Sequence, residues 1–155
     1  MSYAIRRATP DDAPLLAEHR ARVWREVGDW DADVLAPQIP LWAAWMRTAL
    51  TDATYVAWIA EDDAREPVGS GAVLVHLAIP RPGLTSDRAG RVQSLYVVPP
   101  ARRTGVARTL MSEAIAFARA TNLVFLALHP SDEARPLYAS MGFKDADEML
   151  LRFTE

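Results

Sequence analysis

Arg91-Val-Gln-Ser-Leu-Tyr-Val-Val-Pro-Pro-Ala-Arg-Arg-Thr-Gly-Val-Ala-Arg108 is the stretch on which the fold turns. Its first half reads as a strand, since Val92, Leu95, Tyr96, Val97 and Val98 are β-branched, aromatic or aliphatic. Pro99 and Pro100 stop it, because neither can donate to a ladder. Arg102 and Arg103 lead into Thr104 and Gly105. From Val106 the apolar residues recur at helical spacing, through Leu110, Met111, Ala114, Phe117 and Ala118. Strand, basic glycine-bearing turn and helix start outline an anion cradle. The first N–H groups of a helix have no partner, its dipole favours negative charge there, and arginine forks suit phosphate. A turn of this kind alone is common to many α/β proteins.

Downstream, Leu123 to Leu128 is almost wholly apolar and predicts a strand buried on both faces. His129-Pro130-Ser131 ends it, and Ser131 suits the N-cap of a short helix reaching Met141, with Gly142 after it. Phe143 and Met149 to Phe153 read as a last pair of strands. Upstream, residues 3 to 8 predict a first strand. Thr9-Pro10-Asp11-Asp12 starts a helix that runs through Leu15, Leu16, His19, Val23 and Trp24 to Gly28. Asp29 to Pro40 reads as an irregular loop, and Leu41 to Leu50 as a second helix. Thr54–Ala60 and Val68–Ile79 predict two strands joined by a polar hairpin, and Pro80 to Gly90 a second loop.

The 155 residues are enough for one domain, expected over 1–155, with a proper core. Apolar residues make up 50% and charged residues 24%, the balance of a soluble globular protein. Lys+Arg 17 against Asp+Glu 20 leaves a net charge of −3, so neither nucleic acid nor an anionic membrane is an expected partner. There is no cysteine to act as nucleophile, and His19, His76 and His129 lack ligand spacing, so no metal is expected. With no leader-like start and no long apolar run, the expected location is cytoplasmic.

Two motifs in order make the reading specific. Leu95-Tyr96-Val97 followed by Arg102-x-x-Gly105-x-Ala107 resembles the acetyl-CoA-binding motif of the GCN5-related N-acetyltransferases (GNAT). Ser131-x-x-Ala134-x-x-Leu137-Tyr138-x-x-x-Gly142-Phe143 resembles that family's second motif, with Ser131 where the family usually has Asn. The resemblance implies an α/β (α+β) fold: a mixed, mostly antiparallel sheet of about seven strands flanked by about four helices.

By the same resemblance, backbone groups of Leu95, Tyr96 and Val97 pair with the pantetheine arm of acetyl-CoA, which serves as co-substrate. Arg102, Arg103, Thr104, Gly105, Val106 and Ala107 wrap the pyrophosphate. The missing side chain of Gly105 suits a close approach to phosphate. Ser131 either contacts the coenzyme or only caps its helix. Tyr138 is the expected catalytic residue, a phenol able to protonate the departing thiolate. Five residues before Ser131, where some members that acetylate protein amino termini carry a glutamate base, this chain has Leu126.

The acceptor side is less specified. Trp24, Trp30, Trp42, Trp45 and Trp58 concentrate in the first part of the chain with Glu26, Asp29, Asp31 and Asp33. Aromatic walls and carboxylates suit an amine through cation–π and charge attraction, although tryptophans three apart, such as Trp42 and Trp45, also fit a core stripe. Glu26, Trp30, Asp31 and Ser94 are the acceptor-side candidates, with Gln93 and Ser94 as water positioners. His76 reads as a core or edge histidine. The expected activity is acetyl transfer to a primary amine of a small molecule by direct attack in a ternary complex, since no cysteine can carry the acyl group. The rivals are a coenzyme-holding sensor with little turnover, an acetyltransferase acting on a protein or peptide amine, and an interaction domain without coenzyme. A homodimer is expected only from the resemblance.

Overall fold

The computed structural model describes residues 2–153. Five strands form one sheet in the order β1 (Ala4–Arg7), β2 (Tyr55–Glu61), β3 (Pro67–Leu77), β4 (Arg88–Val97) and β5 (Leu126–Ala127). The first three pairings are antiparallel, and β5 joins β4 in parallel. Five helices accompany it: α1 (Ala13–Gly28), α2 (Ala32–Leu35), α3 (Gln38–Thr51), α4 (Val106–Ala120) and α5 (Arg135–Ser140). Among the described residues, no helix is long and apolar enough to cross a membrane.

The side-chain alternation of β2 sorts the core into two layers. Tyr55, Ala57 and Ile59 pack with Leu16, Met46 and Ala49 on the α1/α3 face. Val56, Trp58 and Ala60 pack with Val106, Leu110 and Ala114 on the α4 face. A strand period of two on one element therefore feeds both helical layers, which is why all of β2 is buried.

The mixed architecture matches expectation, but among the described residues the sheet has five strands, not about seven, and the helices number five. The irregular loop expected between Asp29 and Pro40 instead contains α2 and the first turn of α3, where Pro40 is tolerated because early helical N–H groups need no partner. The strand predicted over Leu123–Leu128 shrinks to Leu126–Ala127. No strand forms at Phe143 or Met149–Phe153; Met149 and Phe153 are 99% and 92% exposed. A strand needs a neighbouring ladder, and a two-residue β5 offers very little edge to extend.

One irregularity positions the site. In the β3–β4 ladder Ser70 opposes Tyr96, yet Ala72 opposes Gln93, so Ser94 and Leu95 together face Gly71. This is a β-bulge, with Ser94 in left-handed conformation at φ 53°. On its other side β4 pairs with β5 only at Gly90 and Arg91, so the edge from Val92 to Val97 has no strand partner. The sheet thus opens between β4 and β5 at the end that carries the Arg91–Arg108 stretch.

Gly69 sits opposite Val97, where a Cβ would lie 2.8 Å from the Tyr96 carbonyl oxygen and 3.2 Å from Val106 Cγ1. Gly69→Ala is expected to push β4 away from β3 and lower stability by about 1–3 kcal/mol, read as a fall in the urea midpoint.

Candidate active site

The opening is a cavity of about 480 Å³ whose walls come from four parts of the chain. Val23, Glu26 and Val27 of α1 form one side; Val92 and Ser94–Val97 of β4 form the floor. The turn into α4 supplies Ala101–Arg103 and Gly105–Arg108. Leu128, His129, Ser131, Glu133, Ala134, Leu137 and Tyr138 close the far side.

The turn is built for an anion. Pro99–Ala101 is a short 3-10 turn, held by Thr104, whose Oγ1 donates to the Ala101 carbonyl at 2.6 Å. Thr104 is thereby a clasp of the turn and is not among the lining residues. Arg103 has φ 62° and Gly105 has φ 92°, and a Cβ built on Gly105 meets nothing within 4 Å. The N–H groups of Val106, Ala107 and Arg108 begin α4 without intrahelical partners. Left-handed backbone beside a helix start concentrates donors in a concave space, which fits the pyrophosphate of a nucleotide-like coenzyme. The free edge of β4 fits an extended amide-bearing arm as an added strand. The residues present therefore suit the coenzyme that the motifs imply.

Arg102 and Arg103 differ in role. The Arg102 guanidinium donates from Nε to the Val97 carbonyl at 2.9 Å and from Nη2 to Glu26 Oε2 at 2.5 Å. It ties α1 to β4, and Glu26 is held as its partner at the cavity wall. Arg103 is exposed on the turn and has no ion pair among the described residues. Arg108 also lines the cavity and donates to Ser140 Oγ at 2.7 Å, joining α4 to α5.

Tyr138 is 8% exposed, packs edge-on against Phe143 and lines the cavity. Its hydroxyl has no hydrogen-bond partner among the described residues, and burial raises its pKa above the usual phenol value. The phenol therefore carries its proton at neutral pH. Ser131 also lines the cavity while its Oγ accepts from the Ala134 N–H at 3.2 Å, so it caps the turn ahead of α5.

The acceptor-side candidates separate. Ser94 lies in the cavity wall, at the bulge, and Glu26 lies there too. Trp30, 41% exposed, packs edge-on against Trp24 and does not line the cavity. Asp31 is an exposed residue before α2, away from the lining. What the sequence reading missed is Arg20. On α1 it follows Leu16 and His19 and precedes Val23, so a charge sits within the buried stripe of an amphipathic helix, and that was the available signal. Its Nη1 donates to Ser94 Oγ at 3.0 Å and Gln93 Oε1 at 3.4 Å, and its guanidinium carbon lies 5.1 Å from the Trp42 ring and 5.5 Å from the Trp24 ring.

His19, the neighbour of Arg20, is buried against Tyr96 with Nδ1 hydrogen-bonded to Ser70 Oγ at 2.8 Å. Burial, and secondarily Arg22, pulls its pKa down to about 4. Below the ordinary histidine pKa near 6.5 the unfolded chain takes up a proton that the native state refuses. The stability contribution is thus complete above that value and is lost as pH falls toward 4. Between pH 7 and 4.5 the loss is expected to be about 2 to 3 kcal/mol by urea unfolding, and His19→Gln should flatten that part of the pH dependence.

Comparison with known proteins agrees with the geometry. The family model described as an acetyltransferase (GNAT) domain matches residues 53–145. A GCN5-related N-acetyltransferase from Ralstonia eutropha superposes with a TM-score of 0.88 at 30% identity, covering 98% of this chain and 99% of that one. A predicted acetyltransferase from Clostridium acetobutylicum, crystallised with acetyl-CoA, gives 0.86 at 24% identity over 97% and 96%. An aminoglycoside acetyltransferase from an uncultured soil metagenomic sample gives 0.71 at 16% identity over 100% of both chains. No curated protein matches.

Proposed function

Since this acetyltransferase belongs to the GNAT domain family, we propose that it transfers the acetyl group of acetyl-CoA to the primary amine of a small molecule by direct attack in a ternary complex. The observation that carries this reading is the convergence, in one cavity, of the unpaired β4 edge, the Arg103–Ala107 cradle and the protonated phenol of Tyr138. Backbone groups of Leu95–Val97 hold the pantetheine arm in extended form, the amides that start α4 take the pyrophosphate, and Arg103 adds charge to the phosphates. Arg102 keeps α1 against β4 and so fixes the width of the groove.

The amine enters at the Ser94 end and attacks the thioester carbon. The ammonium first loses a proton through water ordered by Ser94 and Gln93; the new C–N bond then forms as the C–S bond breaks, Tyr138 gives its proton to the sulfur, and the second proton shed by the nitrogen returns through water to the phenolate. A positioned phenol suits the leaving group because no other group competes for its hydrogen. A small-molecule acceptor is supported by the aminoglycoside acetyltransferase among the structural neighbours. The test is thiol release from acetyl-CoA across a panel of amines. Turnover with at least one small amine is expected; tight coenzyme binding with no release for any amine would instead mark a module that only holds the coenzyme.

A further inference from the structure

We infer that Arg20 is the anion-recognising residue of the acceptor site, and that the amine substrate carries a carboxylate, as an amino acid or a close derivative does. The inference rests on the acetyl-transfer reading for the purpose of the site, and on its own observations for the charge.

A guanidinium in the half-buried stripe of α1 ordinarily has a carboxylate beside it, because an unpaired charge away from water is costly. Among the described residues no carboxylate lies within 4 Å of Arg20. Its neighbours are Ser94, Gln93, Trp24 and Trp42, together with Tyr55, whose phenol is pushed by burial up to about 12 and is neutral at physiological pH. The cation is thus surrounded by neutral groups, in contrast to Arg102 and Arg6, which both hold carboxylates.

The unused donors are also the right ones. The guanidinium lies against the Trp24 and Trp42 rings, and Nη1 is taken by Ser94 and Gln93. The Nε–Nη2 edge has no partner among the described residues. That edge is not sealed in, since no buried side-chain nitrogen or oxygen among them lacks a partner. Two parallel N–H groups in one plane match the two oxygens of a carboxylate. A phosphate, with more charge and a third oxygen to satisfy, ordinarily gathers further cations, and none of Arg20's contacts is basic. Arg20 is one residue away from the chemistry: Ser94 is at once the hydrogen-bond partner of its Nη1 and part of the cavity wall at the bulge. On this inference, a carboxylate held by Arg20 is anchored next to Ser94, the end at which the amine is proposed to enter.

Thiol release from acetyl-CoA decides it, measured for free amino acids, for their amides and decarboxylated amines, and for an amino-sugar phosphate. In the wild type the amino acids are expected to exceed their amides about 100-fold in kcat/KM, chiefly through KM. In Arg20→Gln that ratio should collapse toward one. Arg20→Lys, which keeps the charge but not the two-pronged edge, should lose at least about tenfold and carries the comparison if the glutamine variant does not fold. A wild-type ratio near one, a ratio unchanged by both substitutions, or a phosphate-bearing amine as the best acceptor would overturn the inference. If no amine releases thiol, the acetyl-transfer reading fails by itself. Calorimetric titration of the amino acids then decides the carboxylate site, with binding lost in Arg20→Gln supporting it and no binding to wild type refuting it.

Discussion

Gly105→Val is expected to weaken CoA binding by at least about 100-fold while leaving a folded protein. The two effects have separate causes. At φ 92° a β-branched residue sits in strained backbone, which costs about 1–3 kcal/mol and lowers the melting temperature by a few degrees. The added side chain meets no protein atom within 4 Å of its Cβ, so packing does not forbid it. The space it enters is the concave turn before α4, where on the proposed reading the main chain approaches the phosphates and cannot once a branched side chain stands there. Isothermal titration with CoA and a melting curve read the two terms. Affinity within a few-fold of wild type, in a variant that melts a few degrees lower, would remove the phosphate-cradle assignment.

Tyr138→Phe should lower kcat by about 100-fold or more and leave KM for acetyl-CoA near its wild-type value. The prediction is clean because the hydroxyl has no protein partner among the described residues: its removal leaves no orphaned donor or acceptor, and the ring keeps its edge-on contact with Phe143. Stability should therefore hold. Pre-steady-state measurement would place the loss in the chemical step. Unchanged kcat, with saturation by both substrates, would mean that the departing sulfur takes its proton from water.

The strand, turn and helix start that line the cavity could be read from sequence because their geometry is encoded locally. Two prolines end a strand, a glycine supplies a left-handed turn and the apolar period changes to helical, all within residues 91–108. Tyr138 and Ser131 came from a second local pattern. What could not be read is set by three-dimensional context. Nothing about a serine announces the left-handed conformation of Ser94, because the bulge arises from a register shift against Ser70 and Ala72 on another strand. The split between Arg102 and Arg103 depends on Glu26, far away in sequence. Of the five tryptophans grouped from sequence, Trp45 packs on Tyr55 and Trp58 on Phe117 across the sheet, while Trp24, Trp30 and Trp42 form a cluster. The charge within reach of it is a cation rather than the carboxylates of Glu26 and Asp31. The C-terminal strands failed for the opposite reason: Met149–Phe153 has local strand character but no adequate edge to join.

The unpaired β4 edge also changes what counts as the native state. Between Val92 and Val97 the described sheet leaves one edge of β4 unpaired, and on the proposed reading the donor substrate pairs with it. A protein that finishes its sheet with its own substrate draws part of its stability from metabolic supply. At a coenzyme concentration one hundred times the dissociation constant, that contribution reaches about 2.7 kcal/mol. On the proposed reading, starvation for the acetyl donor would do more than idle this protein; it would leave it closer to unfolding, and so couple its lifetime to the pool on which it draws.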